Sequence, residues 1–74
     1  MNNLVISYDN ENDIRIKREY NGMLDFINEI NSDNMDVPML DYTNVTALIC
    51  QNEEKHFDTI NDLYAYCMEY PRCN

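Results

Sequence analysis

The sequence is poor in glycine, proline and positive charge. Its 74 residues include one Gly, two Pro and no Trp, and five Lys and Arg stand against 14 Asp and Glu, which gives a net charge of −9. A single Gly leaves no glycine-rich loop to cradle a phosphate. The excess of carboxylates predicts that the chain repels nucleic acid and anionic membranes and that it is attracted to a basic surface.

Long apolar runs are also missing. No stretch approaches the roughly 18 apolar residues of a membrane span, and Met1–Val5 lacks the basic start of a signal peptide. We therefore expect no membrane partner and a cytoplasmic location in a bacterial host cell. The twelve Asn, together with frequent Ile and Tyr, are typical of AT-rich codons and favour a bacterial or phage origin.

The length predicts one small acidic domain over residues 1–74. Hydrophobic residues make up 45% of the chain, which is too many for a disordered acidic tail and predicts a real core. Cys50, Cys67 and Cys73 form an odd set without the spacing of a metal site. In a reducing compartment we expect all three to be free thiols.

A β-hairpin is predicted at the start of the chain. Residues Leu4–Tyr8 alternate with the period of a strand, and the polar cluster Asp9–Asp13 is suited to a turn. In the second strand Ile14, Ile16 and Tyr20 share one face. The opposite face, predicted to be wet, carries Arg15, Lys17 and Glu19.

An amphipathic helix follows the hairpin. Apolar residues recur at i, i+3, i+4 and i+7 from Met23 to Ile30, which predicts a helix that ends near Ser32. The stretch from Asp33 to Thr43 contains a proline and little periodicity, so it is predicted to be a connection. A short extended piece is predicted within it at Met39–Tyr42.

The second half repeats the same order of elements. Val45–Cys50 is rich in β-branched residues and predicts a central strand, and Lys55–Phe57 predicts a short returning strand. Either Asp58 or Thr59 is suited to begin a second helix, and Asp62 completes a pattern like a capping box. The prediction is an α+β fold of order ββαββα, a small antiparallel sheet with two helices packed on one face.

Catalytic and metal-binding patterns are incomplete. Asp9, Glu11 and Asp13 alternate like the first ligands of a calcium loop, but Ile14 stands where the loop requires Gly and Tyr20 where it requires Glu. A thiol and imidazole pair of Cys50 and His56 would lack an orienting third group. We therefore expect a protein that is not an enzyme and that binds neither cofactor nor metal.

The acidic residues suggest a binding surface. Asp25 and Glu29 lie four residues apart on the first predicted helix, and Asp33 would continue the row if the helix extended that far. Asp58 and Asp62 form a similar pair at the start of the second helix. Helix neighbours at this spacing lie about 5–6 Å apart, comparable with successive phosphates of a nucleic acid. Glu69 lies two turns farther on. The alternative interpretation is that these carboxylates favour helix N-termini and keep the protein soluble.

Two further groups of residues are notable, the tyrosines of the second helix and the cations of the second strand. Tyr66 and Tyr70 exceed what one buried stripe of the second helix needs, and Tyr is enriched in interfaces. They are predicted to contact a target or a second copy of the chain. The cations Arg15, Lys17 and Arg18 are predicted to form a local positive stripe on the second strand.

In size, acidity, α/β content and absence of an enzyme motif, the chain resembles small phage anti-defence proteins, above all anti-CRISPR proteins. The resemblance implies a stoichiometric inhibitor that occupies the basic nucleic-acid-binding surface of a nuclease complex, by acidic mimicry and without binding nucleic acid itself. The alternative hypothesis is a small regulatory or adaptor module that binds a protein through its strand edge or its Tyr-bearing helix, with a homodimer as one form.

Overall fold

The chain opens with the predicted β-hairpin. In a computed structural model, which describes residues 3–32 and 37–70, β1 (Leu4–Asp9) pairs antiparallel with β2 (Arg15–Tyr20). The side-chain carbonyl of Asn10 accepts the backbone N–H groups of Asn12 at 2.8 Å and Ile14 at 3.1 Å, and so closes the turn. Ile14 belongs to this turn and is 56% exposed, so its assignment to the core face of β2 is wrong.

The remaining elements follow in the predicted order. α1 spans Met23–Ile30 and β3 spans Thr43–Ile49, followed by β4 over Glu53–Thr59 and α2 over Ile60–Glu69. β4 is therefore longer than the predicted Lys55–Phe57. No helix among the described residues is long and apolar enough to cross a membrane.

The predicted extended piece at Met39–Tyr42 is wrong. This segment turns, and the Tyr42 N–H donates to the Met39 carbonyl at 3.1 Å. The carbonyls of Leu40 and Tyr42 accept the N–H groups of Asn61 and Ile60, both at 2.9 Å. These are N–H groups that the first turn of α2 cannot satisfy internally, so the connection serves as a helix cap.

The sheet is four-stranded and fully antiparallel, in the order β2-β1-β3-β4, which confirms the α+β architecture. β1 and β3 are the central strands. Residues of both helices and alternate residues of the strands share one buried cluster, so the helices cover the same face. Its members are Leu4, Ile6, Tyr8, Tyr20, Met23, Phe26, Val45, Ala47, Ile49, Ile60, Leu63 and Cys67.

The cysteine prediction needs a correction. Cys67 is a buried free thiol as expected, and burial raises its pKa to about 12. Cys50 is disulfide-bonded, so the expectation of a free thiol at this position is wrong. Cys73 lies outside the described residues.

The turn between β3 and β4 has an unusual backbone for its sequence. Cys50 and Gln51 have φ of 55° and 66°, and the Asn52 N–H donates to the Ile49 carbonyl at 3.2 Å. Two central residues with positive φ define a type I′ turn, which favours Asn and Gly. This chain has neither residue at the two central positions.

Gln51→Gly should therefore stabilise the domain. A left-handed residue other than Gly costs about 1–2 kcal/mol, and the greater freedom of Gly in the unfolded chain offsets part of the gain. We expect the free energy of unfolding to rise by about 0.5–1 kcal/mol in urea titrations. Gln51→Ala is the control, since it shortens the side chain but keeps the Cβ that makes positive φ unfavourable. An equal effect of both variants would contradict the prediction.

Both edge strands carry charges along their length. β2 contains Arg15, Lys17, Arg18 and Glu19, and β4 contains Glu53, Glu54, Lys55 and Asp58. Charged side chains on an edge strand hinder the addition of a further strand. These charges hinder the addition of a strand from another molecule at both edges of the sheet.

Candidate functional site

The two helices carry no basic residue. α1 has the sequence MLDFINEI and α2 the sequence INDLYAYCME, and neither contains Lys or Arg. Their exposed carboxylates belong to Asp25, Asp62 and Glu69. We call the solvent side of the two helices, marked by these three residues, the helical face.

The described cations all lie on the sheet. Arg15 pairs with Asp9 at 3.3 Å, Arg18 with Glu29 at 2.9 Å and Lys55 with Glu53 at 3.8 Å, while Lys17 has no ion pair among the described residues. Arg72, the fifth basic residue, lies outside the described part of the chain. The negative charge of the helical face is therefore not compensated by cations on the helices themselves.

Glu29 does not belong to the exposed ridge that the sequence predicted. One carboxylate oxygen accepts the Arg18 guanidinium, and the other accepts the Tyr20 hydroxyl. Burial and this hydrogen bond raise the pKa of Tyr20 well above its ordinary value. Arg18 on β2 thus compensates Glu29, and the contact links α1 to β2.

The position of Arg18 also corrects the predicted positive stripe. Arg18 is paired in register with Ile6, so its side chain projects toward the helices, whereas Arg15 and Lys17 project from the opposite face. The stripe therefore has two members. Alternation along β2 separates Arg18 from the other two cations.

The predicted pair of Asp58 and Asp62 is split between two elements. Asp58 belongs to β4, one residue before Thr59, which is the N-cap of α2. The Thr59 hydroxyl accepts the Asp62 N–H at 3.2 Å, as the capping pattern predicted. Asp62 lies in the first turn of α2, while Asp58 faces away from the helices. Asp33 lies outside the described residues.

The two tyrosines at the end of α2 differ in exposure. The Tyr66 ring lies 5.5 Å from Phe57, and the Lys55 ammonium lies 5.4 Å from its centroid, so Tyr66 is held against β4. Tyr70 lies 5.2 Å from Tyr66 and is 53% exposed, with Glu69 exposed beside it. Tyr70 is thus the more accessible of the two predicted contact residues.

The acidic hairpin turn does not gather its carboxylates at one point. The oxygens of Asp9 contact Arg15 and Asn44, while the Glu11 carboxylate accepts the Tyr42 hydroxyl. That hydrogen bond raises the pKa of Tyr42 to about 12. Asp9 and Glu11 are thus occupied by separate parts of the structure.

The sheet face opposite the helices holds residues that sequence reasoning did not bring together. Register places Lys17 beside Ser7, Ser7 beside Thr46 and Thr46 beside His56, which makes one row across all four strands. Arg15 and Asp58 lie next to this row. We call this surface the open face. Period-two alternation shows which residues of each strand share a face. Only the order of the strands shows which of these residues are neighbours.

Comparison of the chain with models of known families, with characterised proteins and with solved structures finds no match.

Proposed function

We propose that the protein is a non-catalytic inhibitor that uses its helical face to occupy the basic nucleic-acid-binding surface of a nuclease complex, as an anti-CRISPR or other anti-defence protein. The observation that carries the proposal is the separation of charge. The helices present Asp25, Asp62 and Glu69 without a single basic residue. Of the described cations, Arg15 and Lys17 project from the opposite face of the sheet, while Arg18 and Lys55 lie on the helix side, where they are paired with Glu29 and Glu53.

This separation has a physical consequence for binding. A face of one sign attracts a surface of the opposite sign and accelerates encounter, and the net charge of −9 adds to that attraction. Carboxylates can then take the place of phosphates on the target. Because the interaction is electrostatic and the carboxylates are exposed, it weakens as salt screens them.

A charge-reversal experiment tests the helical face. The combined variant Asp25→Lys, Asp62→Lys and Glu69→Lys is compared with Glu19→Lys, Glu54→Lys and Asp58→Lys, which makes the same change in net charge away from the helices. Binding of target DNA by a panel of purified CRISPR effector nucleases is measured with equimolar inhibitor. We expect the helical variant to lose affinity for the susceptible nuclease by about 100-fold or more, and the control by much less.

Salt gives a second measurement on the same complex. Raising the salt from about 50 to 500 mM should weaken binding of the unmodified protein strongly and that of the helical variant little. Equal losses for both triple variants would contradict a role for the helical face. Unchanged affinity at high salt would contradict mimicry of nucleic acid.

The adaptor hypothesis is the second candidate. Met68 and Tyr70 are 55% and 53% exposed near the end of α2, which favours an apolar contact with a protein. The charged edge strands oppose the version in which a partner strand adds to the sheet. Binding that is lost in Tyr70→Ala and is insensitive to salt would support the adaptor in place of the inhibitor.

A further inference from the structure

The open face contains a rigidly held guanidinium group. The Arg15 side chain crosses β1, and its Nη1 donates to Asp9 at 3.3 Å and to the Asn44 carbonyl. Its Nη2 donates to the Thr46 hydroxyl at 3.3 Å. A guanidinium fixed by three partners loses little freedom when it binds a ligand with its remaining N–H groups.

The imidazole of His56 meets the same hydroxyl from the other side. Its Nδ1 lies 3.2 Å from Thr46 Oγ1. Together with Asn44 and Asp58, these residues line a cavity of about 290 Å³ that is open to solvent. A hydroxyl, an imidazole and a guanidinium therefore converge on one concave part of the sheet.

The carboxylate that contacts Arg15 has a second partner. One oxygen of Asp9 accepts from Arg15, and the other accepts the Asn44 side-chain N–H at 2.7 Å, an interaction that lowers the pKa of Asp9. Lys17 adds a second cation on this face, across Ser7 from Thr46. The other carboxylates on this face are Asp58 at the cavity, Glu54, which lies 3.8 Å from His56 Nε2, and Glu19, two residues beyond Lys17 on β2.

From this arrangement we infer that Arg15, Thr46 and His56 form a binding site for a phosphate group on the open face. A tetrahedral oxyanion accepts hydrogen bonds from the Arg15 guanidinium and from the Thr46–His56 pair, which keeps one proton for a ligand after the hydrogen bond between its two members. Arg is suited to bind two of the oxygens. The site is separate from the helical face, so a test of phosphate binding does not depend on whether the protein is an inhibitor.

The net charge selects among phosphate-bearing ligands. A small ligand with one phosphate brings few negative charges to the cluster, whereas a nucleic-acid strand brings many to a molecule with a net charge of −9. Inorganic phosphate and a nucleoside monophosphate are therefore expected to bind. A single-stranded oligonucleotide is expected not to bind.

Titrations followed by amide chemical shifts test the site. Inorganic phosphate, a nucleoside monophosphate and an oligonucleotide are each added to the isotope-labelled protein, the first two up to about 20 mM, a range suited to millimolar affinity. The expected result is saturable shifts centred on residues 15, 44, 46 and 56 with the two small ligands. No saturable shift in this region with either small ligand would overturn the proposal, as would shifts centred on the helical face.

Three variants sharpen the measurement. Arg15→Gln should weaken phosphate binding about 10-fold or more by removing the charged donor. Asp58→Asn should strengthen binding about threefold, because it removes an opposing charge several Å away in a solvated site. Lys55→Gln is the control, since it removes a cation that projects from the other face, and it should change the affinity little.

The variants also separate a specific site from a general effect of charge. Retained amide dispersion shows that each variant is folded. Equal weakening of phosphate binding by Arg15→Gln and Lys55→Gln would rule out the phosphate site. The site is also ruled out if neither Arg15→Gln nor Asp58→Asn changes the affinity for phosphate. Binding of the oligonucleotide as tight as that of phosphate would overturn the selection for small ligands.

Discussion

Glu29→Lys should lower the free energy of unfolding by about 2–4 kcal/mol, because it removes the acceptor of two partly buried groups and places a cation beside Arg18. Arg18 and Glu29 have only 30% and 22% of their side chains exposed, so water replaces the lost contacts poorly. The Tyr20 hydroxyl also loses its partner. Urea denaturation followed by circular dichroism measures the loss.

Asp25→Lys is the matched control for this result. It makes the same change of charge one turn earlier in α1, at a residue that is exposed. Its effect on unfolding should stay within about 0.5–1 kcal/mol, the range of an exposed charge in the first turn of a helix. Equal destabilisation by both variants would show that the charge of α1, and not the Glu29 contacts, sets the stability.

The comparison has a practical consequence for any binding study. A charge reversal that included Glu29 would reduce binding by unfolding part of the protein, whatever its surface does. Reversing the charge of an exposed residue destabilises the fold less, and the exposed helix carboxylates are those of Asp25, Asp62 and Glu69. They are therefore the residues on which acidic mimicry should be tested.

Cys50→Ser should lower the free energy of unfolding by about 2–4 kcal/mol, because the disulfide no longer restricts the unfolded chain. For a domain of this size we expect the melting temperature to fall by about 10–20 °C. Thermal unfolding followed by circular dichroism measures the change. The effect is large because a core of this size provides only a few kcal/mol of net stability.

Treatment with a reductant is the control for the effect of the disulfide on stability. Adding it to the unmodified protein should lower the melting temperature by the same amount, and adding it to Cys50→Ser should change nothing further. A melting temperature of the unmodified protein that is insensitive to reductant would contradict a stabilising disulfide. Since cytoplasmic thiols are kept reduced, the same measurement gives the stability that the domain would have in the predicted compartment.

Local patterns were sufficient for the order of the elements. Alternation in Leu4–Tyr8 and the helical spacing after Met23 each reflect burial on one side of a single element. Predictions failed where a distant segment decides the backbone. Met39–Tyr42 turns because its carbonyls meet the start of α2, and β4 extends beyond Lys55–Phe57 because β3 provides pairing partners on either side.

The candidate site was less predictable for the same reason. Spacing along α1 placed Glu29 beside Asp25, but only the packing of α1 on β2 brings Arg18 within 2.9 Å of Glu29. The separation of Asp58 from Asp62 was accessible in principle, since an N-cap at Thr59 leaves the preceding residue outside the helix. The open face required the complete strand order, which no local pattern contains.

The charged edge strands make the solubility of the protein dependent on salt. High salt screens Glu53, Glu54 and Asp58, so β4 is repelled less by the same strand of another molecule. The unpaired backbone of β4 then becomes a template for that second strand. High salt thus favours edge-to-edge association through β4, which the carboxylates of this strand oppose at low salt.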